Sequence, residues 1–179
     1  YFMEKGAPLE DALVVYMPIN LRTESDRERG NLVSLLQVRL SSELSDPLTA
    51  LHEIRRSSRT AREVFSGFGK PAIQLYSLAV ALISLFEETL KLSNFLPPVQ
   101  NLVVSNVPGP KDTLYFRGAR GSHAYPISTL PPLTALNVTA NSYAGQMHVG
   151  LVAGRTVIPD IDRLAELIGG AFTDLVALT

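Results

Sequence analysis

Gln100-Asn-Leu-Val-Val-Ser-Asn-Val-Pro-Gly-Pro110, Leu114-Tyr-Phe-Arg-Gly-Ala-Arg120, Tyr125-Pro-Ile-Ser128 and Ala135-Leu-Asn-Val-Thr-Ala-Asn-Ser-Tyr143 follow one another in the middle of this chain. Val99 to Ser105 reads as a strand, Asn106 to Asp112 as a turn and Thr113 to Phe116 as a short strand. Leu133 to Tyr143 is a longer strand, which Ala144-Gly145 turns into Met147 to Val152 as a hairpin. Pro108 and Pro110 fix φ and remove N–H groups, while Gly109 reaches conformations closed to other residues. Such an exit holds the Ser105 and Asn106 side chains at a fixed place, suited to orienting a substrate carbonyl. The plainer reading is a stiff turn whose Asn satisfies the backbone.

Upstream, Ala12 to Asn20 is a near-continuous apolar run whose length suits a strand covered on both faces. Pro18 would interrupt a central ladder, so the strand is expected to leave the sheet there. Leu21 to Gly30 is a charged loop, and Asn31 to Leu40 is a second strand. Asp46-Pro47 starts a helix to about Phe65, with Leu48, Leu51, Ile54, Ala61, Val64 and Phe65 inward and Arg55, Arg56, Arg59 and Arg62 outward. A second helix spans about Pro71 to Leu92, closed by Asn94 and Pro97-Pro98. Downstream, Pro159-Asp160 opens a final helix whose buried stripe would be Ile161, Leu164, Ile168, Phe172, Leu175 and Val176. The inventory predicts an α/β or α+β class with a mixed sheet.

The 179 residues suffice for one domain with a substantial core, and 46% hydrophobic against 18% charged residues fits a globular chain. A net charge of −1 gives no electrostatic footprint for nucleic acid. Cysteine is absent, which excludes disulfides and thiolate-bound metal and fits a reducing compartment. The uncharged stretch Pro71 to Phe86 is sixteen residues, short of the roughly 20 apolar residues a bilayer span needs, so it reads as a buried or interfacial helix. No signal peptide is visible. Tyr1-Phe-Met-Glu-Lys-Gly6 reads as the last turn of a helix, with Lys5 and Gly6 favouring its C-terminal end, so the chain is expected to begin inside a longer one.

Asn137, Thr139 and Asn141 share one face of their strand and Ser142 points oppositely. The row would line a polar tunnel or face water. Asn137-Val-Thr139 fits a glycosylation acceptor only by chance, given its strand position. Arg22 would hold its acidic loop or an anionic cofactor group. His52, His123 and His148 are followed four residues later by Arg56, Ile127 and Val152, so no His-x-x-x-Asp exists. Neither His52 nor His148 has a carboxylate at a spacing suited to general-base work. Asp160-Ile-Asp162 reads as a helix start complementing the dipole.

Ser105 to Pro110, Ala135 to Tyr143, Leu21-Arg22 before Gly30-Asn31, and Gly150-Leu-Val-Ala-Gly-Arg155 through Pro159-Asp160 together resemble the C-terminal half of the wax ester synthase/diacylglycerol acyltransferase family. Gly154 departs from the family's frequent Asp. The resemblance implies an α/β, chloramphenicol-acetyltransferase-like (CoA-dependent acyltransferase) lobe, a mixed β-sheet flanked by helices. A substrate tunnel would run between it and an N-terminal lobe that carries the family's His-His-x-x-x-Asp-Gly segment. That histidine would deprotonate the acceptor hydroxyl, which attacks the acyl-CoA thioester directly. This chain, which lacks the segment, would be inactive alone.

Asn31, Ser105, Asn106, Gly109, Leu133, Asn137 and Ser142 would wall the tunnel, with Leu136 and Val138 as further apolar lining. The implied partners are the N-terminal catalytic lobe, acyl-CoA as co-substrate, diacylglycerol or a long-chain alcohol, and a membrane or lipid-droplet surface. No further cofactor, metal or nucleic acid is implied. Location would be cytoplasmic, peripheral to the inner membrane or lipid inclusions. The alternative is a non-catalytic lipid-binding or membrane-docking regulatory module of the same fold.

Overall fold

The computed structural model describes residues 1–7, 12–20, 33–40, 44–91, 100–131 and 134–178, with Lys70 and Glu88 described in backbone only. Asn31, Leu133, Leu21-Arg22, Gly30 and the Leu92 to Pro98 helix end lie outside the described residues.

Strand β1 (Val14–Asn20) grows from the first apolar run and pairs antiparallel along its whole length with β2 (Val33–Arg39). Two helices follow, α1 (Pro47–Ser66) and α2 (Lys70–Thr89). The chain then re-enters the sheet as β3 (Leu102–Val107), parallel to β1 on one side and to β6 (Leu136–Tyr143) on the other. Between β3 and β6 it forms a small hairpin, β4 (Tyr115–Phe116) with β5 (Ala119–Arg120), and an extended run from Gly121 to Pro131. Strand β7 (Gln146–Ala153) returns antiparallel to β6, and α3 (Ile161–Ala177) follows. The sheet order is β2-β1-β3-β6-β7, a mixed sheet flanked by helices.

Register assigns the two faces. Val15, Leu102, Leu136 and Ala153 lie in one row, with Val38, Leu36 and Ser34 of β2 on the same face. Those β2 residues and Val15 are almost fully buried, and the Ser34 hydroxyl meets that of Ser77 on α2 at 2.9 Å. Tyr16, Val103, Asn137 and Val152 form the neighbouring row on the opposite face. Burial, followed by the nearby Tyr76 phenol, pushes the Tyr16 phenol up to about 12, although a hydrogen bond from Gln37 opposes the shift.

Helix starts and turns follow their local chemistry. Asp46 accepts from the Thr49 N–H at 2.8 Å, and the Thr49 hydrogen bonds hold its carboxyl below the usual range. Ala144 (φ 49°) and Gly145 (φ 80°) supply the two positive dihedrals that a tight β6–β7 hairpin requires.

Several expectations need correction. Pairing of β1 with β3 stops at Tyr16, but pairing with β2 continues past Pro18 to Asn20, so the strand leaves only one neighbour. Strand β3 runs on through Asn106 to Val107, because the Pro-Gly-Pro turn begins only after it. On α1, Leu51 and Val64 point outward, and α3 buries no residue fully, with Phe172 and Val176 exposed. Asp160 and Asp162 do stand at the start of α3 as expected; Asp160 makes no side-chain cap bond there, and its carboxylate binds the Lys5 ammonium at 2.5 Å and the Tyr1 hydroxyl. Those two donors hold its carboxyl below the usual range, Lys5 contributing most. Residues Met3–Lys5 form a 3-10 turn closed by Gly6 at φ 70°.

Candidate functional site

Strand β6 places Asn137, Thr139, Asn141 and Tyr143 on one face, and β7 adds His148 and Gly150 to it. Asn137 is 4% exposed and Thr139 3%. The polar row holds down the Gly121–Pro131 run, which lies across it as a strap. Ser128 Oγ meets Thr139 Oγ1 at 2.8 Å, and Thr139 donates to Asn137 Oδ1 at 2.8 Å. Asn137 Nδ2 donates in turn to the Thr129 carbonyl at 3.0 Å, so the loop of bonds starts and ends on the strap. Asn141 Nδ2 adds a bond to the Ala124 carbonyl at 3.2 Å. The strap has no strand ladder for its carbonyls, and these side chains supply donors on its inner side.

Tyr143 fastens the other end. Its hydroxyl accepts from the Leu114 N–H at 2.9 Å and donates to the Gly121 carbonyl at 2.8 Å, closing the β4–β5 hairpin at its base. His148, 7% exposed, lies among aromatic rings: Tyr125 at 5.0 Å, His123 at 5.5 Å and Tyr143 at 6.4 Å between centroids. Its buried Nε2 has no hydrogen-bond partner among the described residues.

The strand exit has a different character. The Gly109 N–H donates to Ser142 Oγ at 3.0 Å, and the Pro110 carbonyl accepts from the Ala144 N–H at 3.0 Å. A Cβ on Gly109 would lie 2.1 Å from the Ser142 carbonyl oxygen, so only glycine allows that approach. The turn is thereby locked onto the β6 end. Ser105 is half-buried and Asn106 exposed, and neither side chain has a hydrogen-bond partner among the described residues. On the connection that follows, Val107, Tyr115, Phe116, Tyr125 and Ile127 expose apolar surface, Ile127 at 90%. Lys111, Arg117 and Arg120 are exposed on the same connection, without an ion pair among the described residues.

The expected residues therefore separate into two sets. Ser105 and Asn106 have no side-chain hydrogen bond among the described residues, while Gly109 and Ser142 make the joint of the strand exit. Asn137 is committed to the strap. Leu136 and Val138 lie on the face away from it. The sequence reading missed the strap, Tyr143 and Ser128; the signal for them was Gly150 within an otherwise side-chain-bearing strand, which marks close approach of another backbone. Among the described residues there is no cluster able to hold a metal ion, and no helix is long and apolar enough to cross a membrane.

Residues 29–176 match the family model of the WS/DGAT C-terminal domain. The chain belongs to this family. A Mycobacterium tuberculosis protein whose name places it with the diacylglycerol O-acyltransferases is 37% identical over 97% of this chain and 36% of its own length. The O-acyltransferase WSD of Acinetobacter baylyi is 32% identical over 92% of the chain and 35% of its own length. The solved wax ester synthase/diacylglycerol acyltransferase of Marinobacter aquaeolei VT8 superposes with a TM-score of 0.77 at 25% identity, covering 98% of this chain and 39% of that one. The WS/DGAT domain described here thus spans little more than a third of each relative. Its fold is the acyltransferase lobe that the sequence reading anticipated.

Proposed function

We propose that this domain is the C-terminal lobe of an O-acyltransferase that moves a fatty acyl group from acyl-CoA to diacylglycerol or a long-chain alcohol. The observation that carries the reading is the strand exit: two hydrogen-bonding side chains unpartnered among the described residues, Ser105 and Asn106, followed by exposed apolar surface and braced by Gly109 and Ser142. Solvent-exposed apolar surface of this kind fits a face made to be covered. A self-contained lipid carrier would instead need an enclosed acyl-sized cavity. The apolar hollow of about 480 Å³ between β7 and α3 is open.

The domain's own part in the reaction is positional. Asn106, the more exposed of the two, orients the acyl carbonyl or the acceptor, with Ser105 on the opposite face of β3. The rigid Pro-Gly-Pro joint holds the strand end in place so that no reorganisation is needed at the transition state. The proton is taken from the acceptor hydroxyl by a base on the other lobe, because among the described residues none of the three imidazoles has a carboxylate to orient it. Lys111, Arg117 and Arg120 give the rim a positive charge suited to the phosphates of CoA. Asn31 and Leu133 complete the proposed wall. Peripheral attachment to the inner membrane or lipid inclusions brings the apolar acceptor to the site.

Acyl-CoA consumption with diacylglycerol and with hexadecanol tests this directly. Material verified by intact mass as the 179-residue chain is expected to give no turnover. Turnover is expected when a lobe bearing the His-His-x-x-x-Asp-Gly segment is supplied. Turnover by the chain alone would overturn the proposal.

A further inference from the structure

Helix α2 reverses the usual polarity of a surface helix. Ser77 and the buried Glu87 face inward, with Ser77 bonded to Ser34, whereas Leu75, Leu78, Leu82, Leu85 and Phe86 are exposed. At 100° per residue these five cover one broad outer stripe about 16 Å long, and no charged residue occurs between Pro71 and Phe86. A stripe like this is stable in water only when something apolar covers it.

Helix α1 shows what kind of cover fits. Arg55, Arg59 and Arg62 recur at i, i+4 and i+7, all exposed and without an acidic partner among the described residues. Arg62 lies one turn before Phe65, whose ring meets Tyr76 of α2 edge-on at 5.2 Å. At 100° per residue the row lies about 60–120° around α1 from Phe65, on the side adjoining the contact with α2. A three-residue turn, Gly67 to Gly69, joins the helices and presents an exposed Phe68. An apolar stripe beside a row of cations is the chemistry of an interfacial membrane helix.

By sheet register, Ser34, where α2 makes its hydroxyl contact, lies on the face opposite Asn137 and Thr139, which hold the strap. We infer that the α1–α2 hairpin is a docking surface for an anionic phospholipid bilayer, with α2 lying in the interface plane and the three arginines against the headgroups. This deepens the membrane part of the proposed function and does not depend on its catalytic part, so the test reads binding and not turnover.

The test is co-sedimentation of the intact protein with vesicles of phosphatidylcholine alone and of phosphatidylcholine mixed with phosphatidylglycerol, at low and high salt. Binding is expected to the mixed vesicles only and to weaken with salt. The triple variant Arg55→Gln, Arg59→Gln, Arg62→Gln is expected to bind roughly a hundredfold more weakly, about fivefold for each cation. Its Arg→Lys counterpart keeps the charge and is expected to bind like the parent. Leu78→Gln with Leu82→Gln is expected to abolish binding at any salt, with an unchanged circular-dichroism spectrum because both positions are exposed. Equal binding to neutral vesicles, no binding to either kind, or a triple Gln variant that binds like the parent would each overturn the inference. So would a leucine variant that only loses self-association while neither protein sediments with lipid.

Discussion

Gly150 of β7 lies directly beneath Pro126 of the strap: a Cβ built on the glycine would stand 1.9 Å from the proline's carbonyl oxygen. The obstacle is backbone, which cannot swing aside as a flexible side chain would. Gly150→Ala is therefore expected to lift the strap and destabilise the domain by about 1–3 kcal/mol, the usual cost of overpacking. Urea denaturation measures the loss, and limited proteolysis is expected to cut faster between Gly121 and Pro131. Gly154→Ala is the control. Its nearest foreign atom is 4.0 Å away, and stability is expected to change by less than about 0.5 kcal/mol.

Asn137 and Asn106 are expected to behave oppositely. Truncating Asn137 to Ala leaves the Thr129 carbonyl without its donor and the Thr139 hydroxyl with Ser128 alone, an expected loss of about 1–3 kcal/mol in stability. Asn106→Ala removes a side chain with no described partner, so denaturation is expected to be unchanged while turnover of the complete enzyme falls roughly tenfold or more. A fall in stability for Asn106→Ala would place the residue in the scaffold.

Tyr143→Phe isolates one oxygen. The ring stays, but the Leu114 N–H and the Gly121 carbonyl both lose their partner. An expected cost of about 1–3 kcal/mol would appear in thermal melts, with faster amide exchange at Leu114 as its local signature.

Alkaline pH should act through Tyr16. Its phenol ionises at about 12 in the fold against 10.0 when exposed, so the unfolded chain releases its proton first. Stability is expected to be constant below the exposed value and to fall as pH rises from there through the folded one. Denaturation midpoints across this range check the sign, and Tyr16→Phe is expected to flatten the slope.

Much of this architecture could be read from spacing alone. Asp46-Pro47, the Ala144-Gly145 turn and the apolar runs are local signals, and each produced the element it announces. What spacing could not convey is where a helix turns its apolar side. The sequence reading put Phe172 and Val176 in the core because 3–4 periodicity identifies a stripe, not the surface that meets it. The same limit applied to Asn137: alternation put it on a face with Thr139 and Asn141, but the strap that occupies that face comes from Gly121 to Pro131, where no periodicity exists. The end of β3 was legible to within two residues because Pro108 and Pro110 follow it directly, whereas Pro18 sits inside β1. Asn31 and Leu133 were named from likeness to the family alone.

The parallel joint between β1 and β3 carries a consequence for how the molecule comes apart. Only Val15 with Leu102 and Tyr16 with Val103 are in register there, and Asn101 extends the joint by giving its backbone N–H to the Val14 carbonyl and taking the Val14 N–H on its side-chain oxygen at 2.7 Å. One side of that line is the β1–β2 ladder with α1 and α2, the other the β3–β6–β7 ladder with α3, and 87 residues of chain separate the two partners that meet across it. Closing so large a loop for so few bonds makes this seam the last to zip in folding and the first to part under load, with Asn101 as its rivet.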